Sequence, residues 1–318
     1  MQRLGFMKVY RDLQEFKRLP KAIVTTGTFD GVHCGHKTIL NRLKSIAENE
    51  GGETVLITFD PHPRLVINPQ ANTDLKLLTT TDEKIELLKQ EGIQHLIIIP
   101  FTKEFAQTSG ESYIKDILVN TIGVKKLVIG YDHRFGKGRG GSFKELVELA
   151  PEFGFEVEEI PAVEIDDSAV SSTKIRKAIA SGNILDANEK LGYHYALTGN
   201  VVKGHQLGRT IQFPTANIEP AEPLKIVPAI GVYAAMVDFE GNSYKAMINI
   251  GNRPTFGGDI TKIEAHIINF EGDLYNKSIT LRFIARIRDE IKFGSADELK
   301  QQLHKDKEST FRILNDTI

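Results

Sequence analysis

The segment TGTFDGVHCGH (residues 26–36) sets two histidines three positions apart among three glycines. It runs off an apolar β-like stretch into an amphipathic helical pattern. Ligands of a parallel α/β sheet gather at such carboxyl ends of strands. Gly27, Gly31 and Gly35 let a backbone come close to a ligand, and a helix N-terminus with free N–H groups attracts phosphate. His33 and His36 can project from one face of the first helical turn. Two imidazoles there suit hydrogen bonding to the α-phosphate of a nucleotide as its charge redistributes in a transition state. Two other readings stand beside this one. The histidines can merely decorate a Gly-rich turn, or His33, Cys34 and His36 can hold zinc, although three neighbours in one tight turn rarely close a tetrahedral site. A Walker A loop is excluded, because neither GVHCGHKT nor GYDHRFGKG has the GxxxxGK[ST] spacing.

A second group of chemically apt residues lies in TGNVVKGHQLGRTIQFPTANI (198–218). Gly204 and Gly208 give a loop whose N–H groups can wrap phosphates, with Lys203 and Arg209 nearby. Thr215 and Asn217 offer two neutral oxygens, which suit Mg²⁺ that already carries phosphate oxygens and water. Each feature has a plain alternative, a basic turn and a hydrogen-bonded strand end. Glu264 falls on the polar side of a strand whose other face carries Ile263, Ala265 and Ile267. It is either a solvated strand residue or a carboxylate able to take a proton from an attacking hydroxyl. In VSSTKIRKAI (170–179), Ser171, Ser172 and Thr173 can cap a helix while Lys174 and Arg176 bring cations to a triphosphate. An ordinary capped basic helix reads the same way.

The elements that must position these residues follow from hydrophobic periodicity. AIVTTGTF, ETVLITF, HLIIIPF and KLVIGY read as strands, alternating with helical patterns at 82–91, 111–120 and 142–150. Gly51, Gly92, Gly123 and Gly154 stand where helices would stop. This alternation predicts βαβ units around a parallel sheet. After STKIRKAIASG the pattern changes, and the stretch 183–195 reads as the junction of two domains, 1–185 and 186–318. Beyond it GVYAAMVDF, SYKAMINIG, KIEAHIINF and SITLRFIARI alternate in twos, predicting a small antiparallel barrel or sandwich closed by a helix over roughly 295–314. A chain of 318 residues also exceeds what one core usually sustains.

Forty basic and 42 acidic residues are mixed along the chain for a net charge of −2, which disfavours nucleic acid as the main partner. No stretch approaches the roughly 20 apolar residues of a membrane helix, and the first residues lack the apolar core of a signal peptide. Together with a single cysteine, Cys34, this predicts a cytoplasmic protein with no disulfide and no membrane partner. Composition leaves a homo-oligomer open.

GTFDGVHCGH resembles the HxGH signature of the adenylyl- and cytidylyltransferase superfamily. FDPHP (59–63), GYDHRFGKGRGG (130–141) and VSSTKIRKAI resemble further motifs of bacterial bifunctional riboflavin kinase and FAD synthetase. The stretch ending in PTAN, together with INIGNRPTF (248–256) and IEAHIINFEGDLYNK (263–277), resembles the riboflavin kinase part, so the likeness spans nearly the whole chain. It implies a Rossmann-like nucleotidyltransferase domain that adenylylates FMN to FAD, followed by a riboflavin kinase barrel with a terminal helix. It further implies ATP contacts in the first domain at Gly27, Phe29, Asp30, Gly31, His33, Gly35, His36, Asp132, Arg134, Ser171, Ser172, Thr173 and Arg176. In the second domain it implies ATP contacts at Lys203, Gly204, Gly208, Arg209, Thr215 and Asn217, with Mg²⁺ on Thr215 and Asn217 and Glu264 as general base. The substrates implied are riboflavin, FMN and ATP. The chain departs from the family pattern at His133, Cys34 and Gln212, where an aromatic, an apolar residue and a glycine are common. A different nucleotidyltransferase with an appended barrel, or a flavin-binding protein without turnover, are the competing readings.

Overall fold

The computed structural model describes residues 6–70, 74–131, 143–161, 170–204, 213–255 and 258–317. Two compact units divide the chain. One comprises residues up to Leu75 and Thr79–Ser172, the other Lys76–Leu78 and Thr173–Ile318.

The first unit is a parallel sheet of six strands: β1 (Lys8–Tyr10), β2 (Ala22–Thr26), β3 (Glu53–Asp60), β4 (His95–Pro100), β5 (Val124–Gly130) and β6 (Glu156–Ile160), ordered β1-β4-β3-β2-β5-β6. Consecutive strands run outward from β2 on one side as far as β4, and β5 and β6 continue on the other side. The order therefore reverses between β2 and β5, and a crevice at that carboxyl edge is where such sheets bind ligands. The central strands β2, β3 and β4 are apolar on both faces because helices cover both. Ile23, Leu56, Leu96, Ile98 and Val128 pack with Leu40, Leu43, Ile46 and Ala47 of α1 (Cys34–Glu50) and Leu88 of a helix at Thr81–Gln90. Val24, Val55, Ile57, Ile97, Ile99, Leu127 and Ile129 pack with Ile114, Ile117, Leu118 and Ile122 on the other face, and with Leu146 and Ala150.

The four strands and the intervening helices lie where periodicity placed them. Gly51, Gly92, Gly123 and Gly154 all adopt positive φ, between 60° and 78°. The predicted helix at 111–120 is a π-helix over Tyr113–Ile122, closed by Gly123. Two strands escaped the pattern. The segment β1 is three residues long, and β6 (EVEEI) is mostly polar because it lies at the sheet edge.

The second unit holds a closed barrel of β7 (Ala196–Val202), β8 (Ala216–Pro220), β9 (Gly231–Phe239), β10 (Asn242–Thr255), β11 (Gly258–Ile267) and β12 (Ser278–Arg288), ordered β10-β11-β8-β7-β12-β9 with every pair antiparallel. Period-two alternation fills it: Tyr233, Phe283, Leu281, Val237, Ile248 and Ile250 are fully buried. Ala234, Met236 and Ile284 pack with Leu314 of the terminal helix Ala296–Thr317.

The stretch read as a domain junction is largely helix, Ile184–Leu191, and belongs to the second unit. Asn183 caps its first turn, Gly192 ends it with φ 71°, and Ile184, Ala187 and Leu191 are buried at helical spacing. Residues that resemble turn signals are here the two caps of one short helix. Leu77 forms a parallel bridge to Lys225 in the same unit: its N–H donates to the Leu224 carbonyl (2.7 Å) and its carbonyl accepts from Ile226 (3.0 Å).

Candidate active sites

The loop after β2 is held by two buried apolar side chains in an unusual backbone. Phe29 and Val32 have φ 46° and 35°, yet are 3% and 0% exposed. Positive φ at a β-branched residue is costly and persists only where surrounding structure over-determines it. That determination is visible. The Asp30 carboxylate accepts from the N–H and hydroxyl of Thr79 (3.0 and 3.2 Å), and the Thr79 oxygen accepts from Gly31 N–H (3.1 Å). Ser172 donates its hydroxyl to the Asp30 carbonyl (3.0 Å), and Gly27 N–H bonds the Ile57 carbonyl (3.0 Å). An added Cβ at Gly27 would press on the Phe29 ring at 3.2 Å.

The loop delivers its chain into α1 with His33 as the N-cap. His33 Nδ1 accepts from the backbone N–H of His36 (3.3 Å), which leaves the proton of a neutral ring on Nε2. The two rings stack at 3.6 Å between centroids and 14° between planes, and Phe29 lies 4.8 Å from the His36 ring. Burial first, then the neighbouring His33 and Lys84, hold His36 well below the ordinary histidine pKa of 6.5. Among the described residues its Nδ1 is enclosed without a hydrogen-bond partner. The arrangement is a pair of imidazoles at a helix N-terminus, one with a buried, unused nitrogen, beside the point where strand order reverses.

Of the residues expected around this site, Gly27, Phe29, Asp30, Gly31, His33, Gly35, His36 and Ser172 share the first unit. Asp132 and Arg134 lie outside the described residues. Thr173 and Arg176 follow Ser172 on the helix Ser172–Ala180 and count with the second unit, where Arg176 donates Nε to the Lys76 carbonyl (2.7 Å). Ser171 is half-buried beside them. Sequence reasoning missed Thr79, whose role depends on a fold that brings residues 49 positions apart into contact.

The second site is built on β11. Glu264 is registered opposite Asn217 of β8, and opposite Asn249 of β10 on its other side. Ile263, Ala265 and Ile267 of the same strand are buried, so Lys262, Glu264 and His266 share the opposite face. The Lys262 ammonium donates to Asn217 Oδ1 and Glu264 Oε1, both at 3.1 Å. His266 Nδ1 donates to the Pro214 carbonyl (2.9 Å), and its ring meets Phe213 at 5.0 Å. One strand face therefore fixes the segment 213–217 at three points. Gly204 abuts Asn217 so closely that a Cβ there would lie 2.0 Å from Nδ2. Thr215 lines a cleft of about 140 Å³ with Val201, Ala216, Phe270, Leu274 and Tyr275. Lys203 is exposed just before Gly204, and Gly208 and Arg209 lie outside the described residues. Lys262 and His266 were not foreseen, although their spacing from Glu264 is the strand period.

A doubly wound sheet with an HxGH loop at its switch point, joined in one chain to a closed six-stranded barrel, defines a nucleotidyltransferase domain fused to a second, barrel domain. Residues 15–174 match the FAD synthetase family and residues 191–314 the riboflavin kinase family. A bifunctional riboflavin kinase/FMN adenylyltransferase of Haemophilus influenzae is 36% identical over 97% of this chain and 100% of its own. That of Listeria monocytogenes is 34% identical over 91% of each chain. A crystal structure described as a macrolide-efflux protein from Streptococcus pneumoniae shares the fold with TM-score 0.86 and 30% identity, over 96% of this chain and 98% of that one. The chain belongs to the family of bifunctional riboflavin kinase/FMN adenylyltransferases. Among the described residues no helix is long and apolar enough to cross a membrane.

Proposed function

We propose that this chain performs both reactions of its family, with adenylyl transfer to FMN in residues 1–185 and phosphorylation of riboflavin in residues 186–318. The observation that carries the first assignment is the stacked His33–His36 pair at the mouth of α1. A phosphate oxygen of FMN attacks the α-phosphorus of ATP, the bond to the bridging oxygen breaks, and pyrophosphate leaves with its electron pair. A neutral His36 and the Nε2–H of His33 each supply one N–H to oxygens that gain charge, and the helix N-terminus supplies more. No covalent enzyme intermediate is needed, only alignment.

In the barrel, Glu264 takes the proton of the terminal ribityl hydroxyl of riboflavin as its oxygen attacks the γ-phosphorus and ADP departs. Lys262 aims that carboxylate through its 3.1 Å bond, and it ties Asn217 into the same cluster. Lys203, Gly204, Gly208, Arg209, Thr215 and Asn217 are the proposed ATP contacts, and the partly aromatic cleft beside Thr215 suits a nucleobase. Asn217 Oδ1 already accepts one cation, the Lys262 ammonium, so its chemistry fits a divalent ion. Thr215 and Asn217 would hold Mg²⁺, which neutralises phosphate charge when bound.

The test gives purified protein riboflavin, ATP and Mg²⁺ and follows FMN and FAD by chromatography. FMN that rises before FAD is the expected course. FMN alone would overturn the assignment of the first domain, and no flavin product from folded protein would overturn both.

A further inference from the structure

The helix Thr81–Gln90 carries a lysine into the interior. Thr80 and Glu83 close a reciprocal capping box that fixes its start. Lys84, one residue on, is 7% exposed, and its ammonium donates to the Thr58 hydroxyl at 3.3 Å. Thr58 in turn donates to the carbonyl of Thr28, so the ammonium lies two hydrogen bonds from the backbone of the 26–36 loop. Among the described residues Lys84 forms no ion pair. Burial lowers its pKa from the ordinary lysine value; the nearby Asp30 and Asp60 carboxylates oppose this and favour its charge, but that of Asp30 is engaged by Thr79. A buried ammonium with three donors and one hydrogen bond is expensive unless an anion completes it. Its charge also reaches His36 and helps keep that ring neutral.

We propose that Lys84 is a further binding residue for adenylyl transfer, whose ammonium contacts the phosphate chain of ATP and then the departing pyrophosphate. The inference rests on the reading of the 26–36 loop as the adenylyl-transfer site. Work is divided between the two kinds of group: Lys84 supplies a cation, and the imidazoles supply directional N–H donors. A point cation suits pyrophosphate, whose charge is spread over several oxygens.

The test measures FAD formation from FMN and ATP in the full chain, with riboflavin phosphorylation by the same preparation as the control for folding. In Lys84→Met, kcat for FAD formation should fall about 10²-fold, the scale of losing one preorganised donor. The inhibition constant of added pyrophosphate should rise at least about tenfold, and Lys84→Arg should recover most of both. A purely structural lysine would lower the rate without moving the pyrophosphate constant, and that result overturns the proposal. If Lys84→Met does not fold, the wild-type protein decides. With lysine side-chain nitrogens labelled and Lys84 assigned through the arginine variant, pyrophosphate must shift the Lys84 resonance. An unmoved resonance overturns the proposal. Wild-type protein that makes no FAD from FMN would instead sink the reading of the loop itself.

Discussion

The imidazoles of His33 and His36 lie face to face, 3.6 Å apart, and the backbone of the second is bonded to the ring of the first. Stacking and capping are thus one arrangement: the bond that starts α1 also sets the tautomer of His33.

His36→Ala should lower FAD formation by about 10²-fold or more, the scale of a preorganised donor, and leave riboflavin phosphorylation within twofold. Steady-state rates of the two reactions on one preparation check this. A parallel loss of both with intact folding would mean that the two reactions do not have separate sites.

The same residue predicts a pH dependence of stability. His36 has a folded pKa well below 6.5, while the unfolded chain takes up its proton near 6.5. The unfolded state therefore binds more protons below that pH, so this residue's stabilising contribution is complete above it and is lost as pH falls towards the folded pKa. Urea unfolding between pH 5 and 8 should show a decline on the acid side that is smaller in His36→Gln.

Thr79→Val removes a hydroxyl that donates to Asp30 and accepts from Gly31. Loss of a hydrogen bond to a buried charge costs about 1–3 kcal/mol. A lower melting temperature with a disproportionate fall in FAD formation is expected, since the loop that carries the histidines is what loosens.

Glu264→Gln should slow riboflavin phosphorylation by about 10²–10⁴-fold, the range for losing a general base. A wild-type rate would remove Glu264 from the chemistry. Adenylylation of supplied FMN should be unchanged in this variant.

Gly204→Ala tests the closeness of backbone to Asn217. A methyl 2.0 Å from the Asn217 amide must displace it, and with it the partner of Lys262. The expected outcome is a rise in KM for ATP in phosphorylation and no change in FAD formation from FMN.

Much of this was legible in the sequence because local pattern and local chemistry agree. Glycines at four helix ends, β-rich runs between them and alternation in the barrel all act over a few residues. His33 and His36 are visible for the same reason. Thr79, Lys84, Lys262 and His266 were not, for two reasons. Thr79 and Lys84 act on the histidine loop from about 50 positions away, through contacts that exist only once β2 and β3 are paired. Lys262 and His266 share a strand face with Glu264, but only the register of β11 on β8 shows that they clamp residues 213–217. The helix at Ile184–Leu191 was missed because Asn183 and Gly192 look the same in a turn as in a pair of caps.

The bridge between Leu77 and Lys225 bears on how the gene can be divided. A reading frame opened at codon 186 would encode all six barrel strands but omit Lys76–Leu78 and the helix Ser172–Ala180. The Ile226 N–H and the Leu224 carbonyl would lose their partners, and the Lys225 ammonium, in a side chain 4% exposed, would lose the Leu78 carbonyl at 2.8 Å. The codons for the second compact unit are accordingly discontinuous in the gene, three of them lying within the stretch that encodes the first.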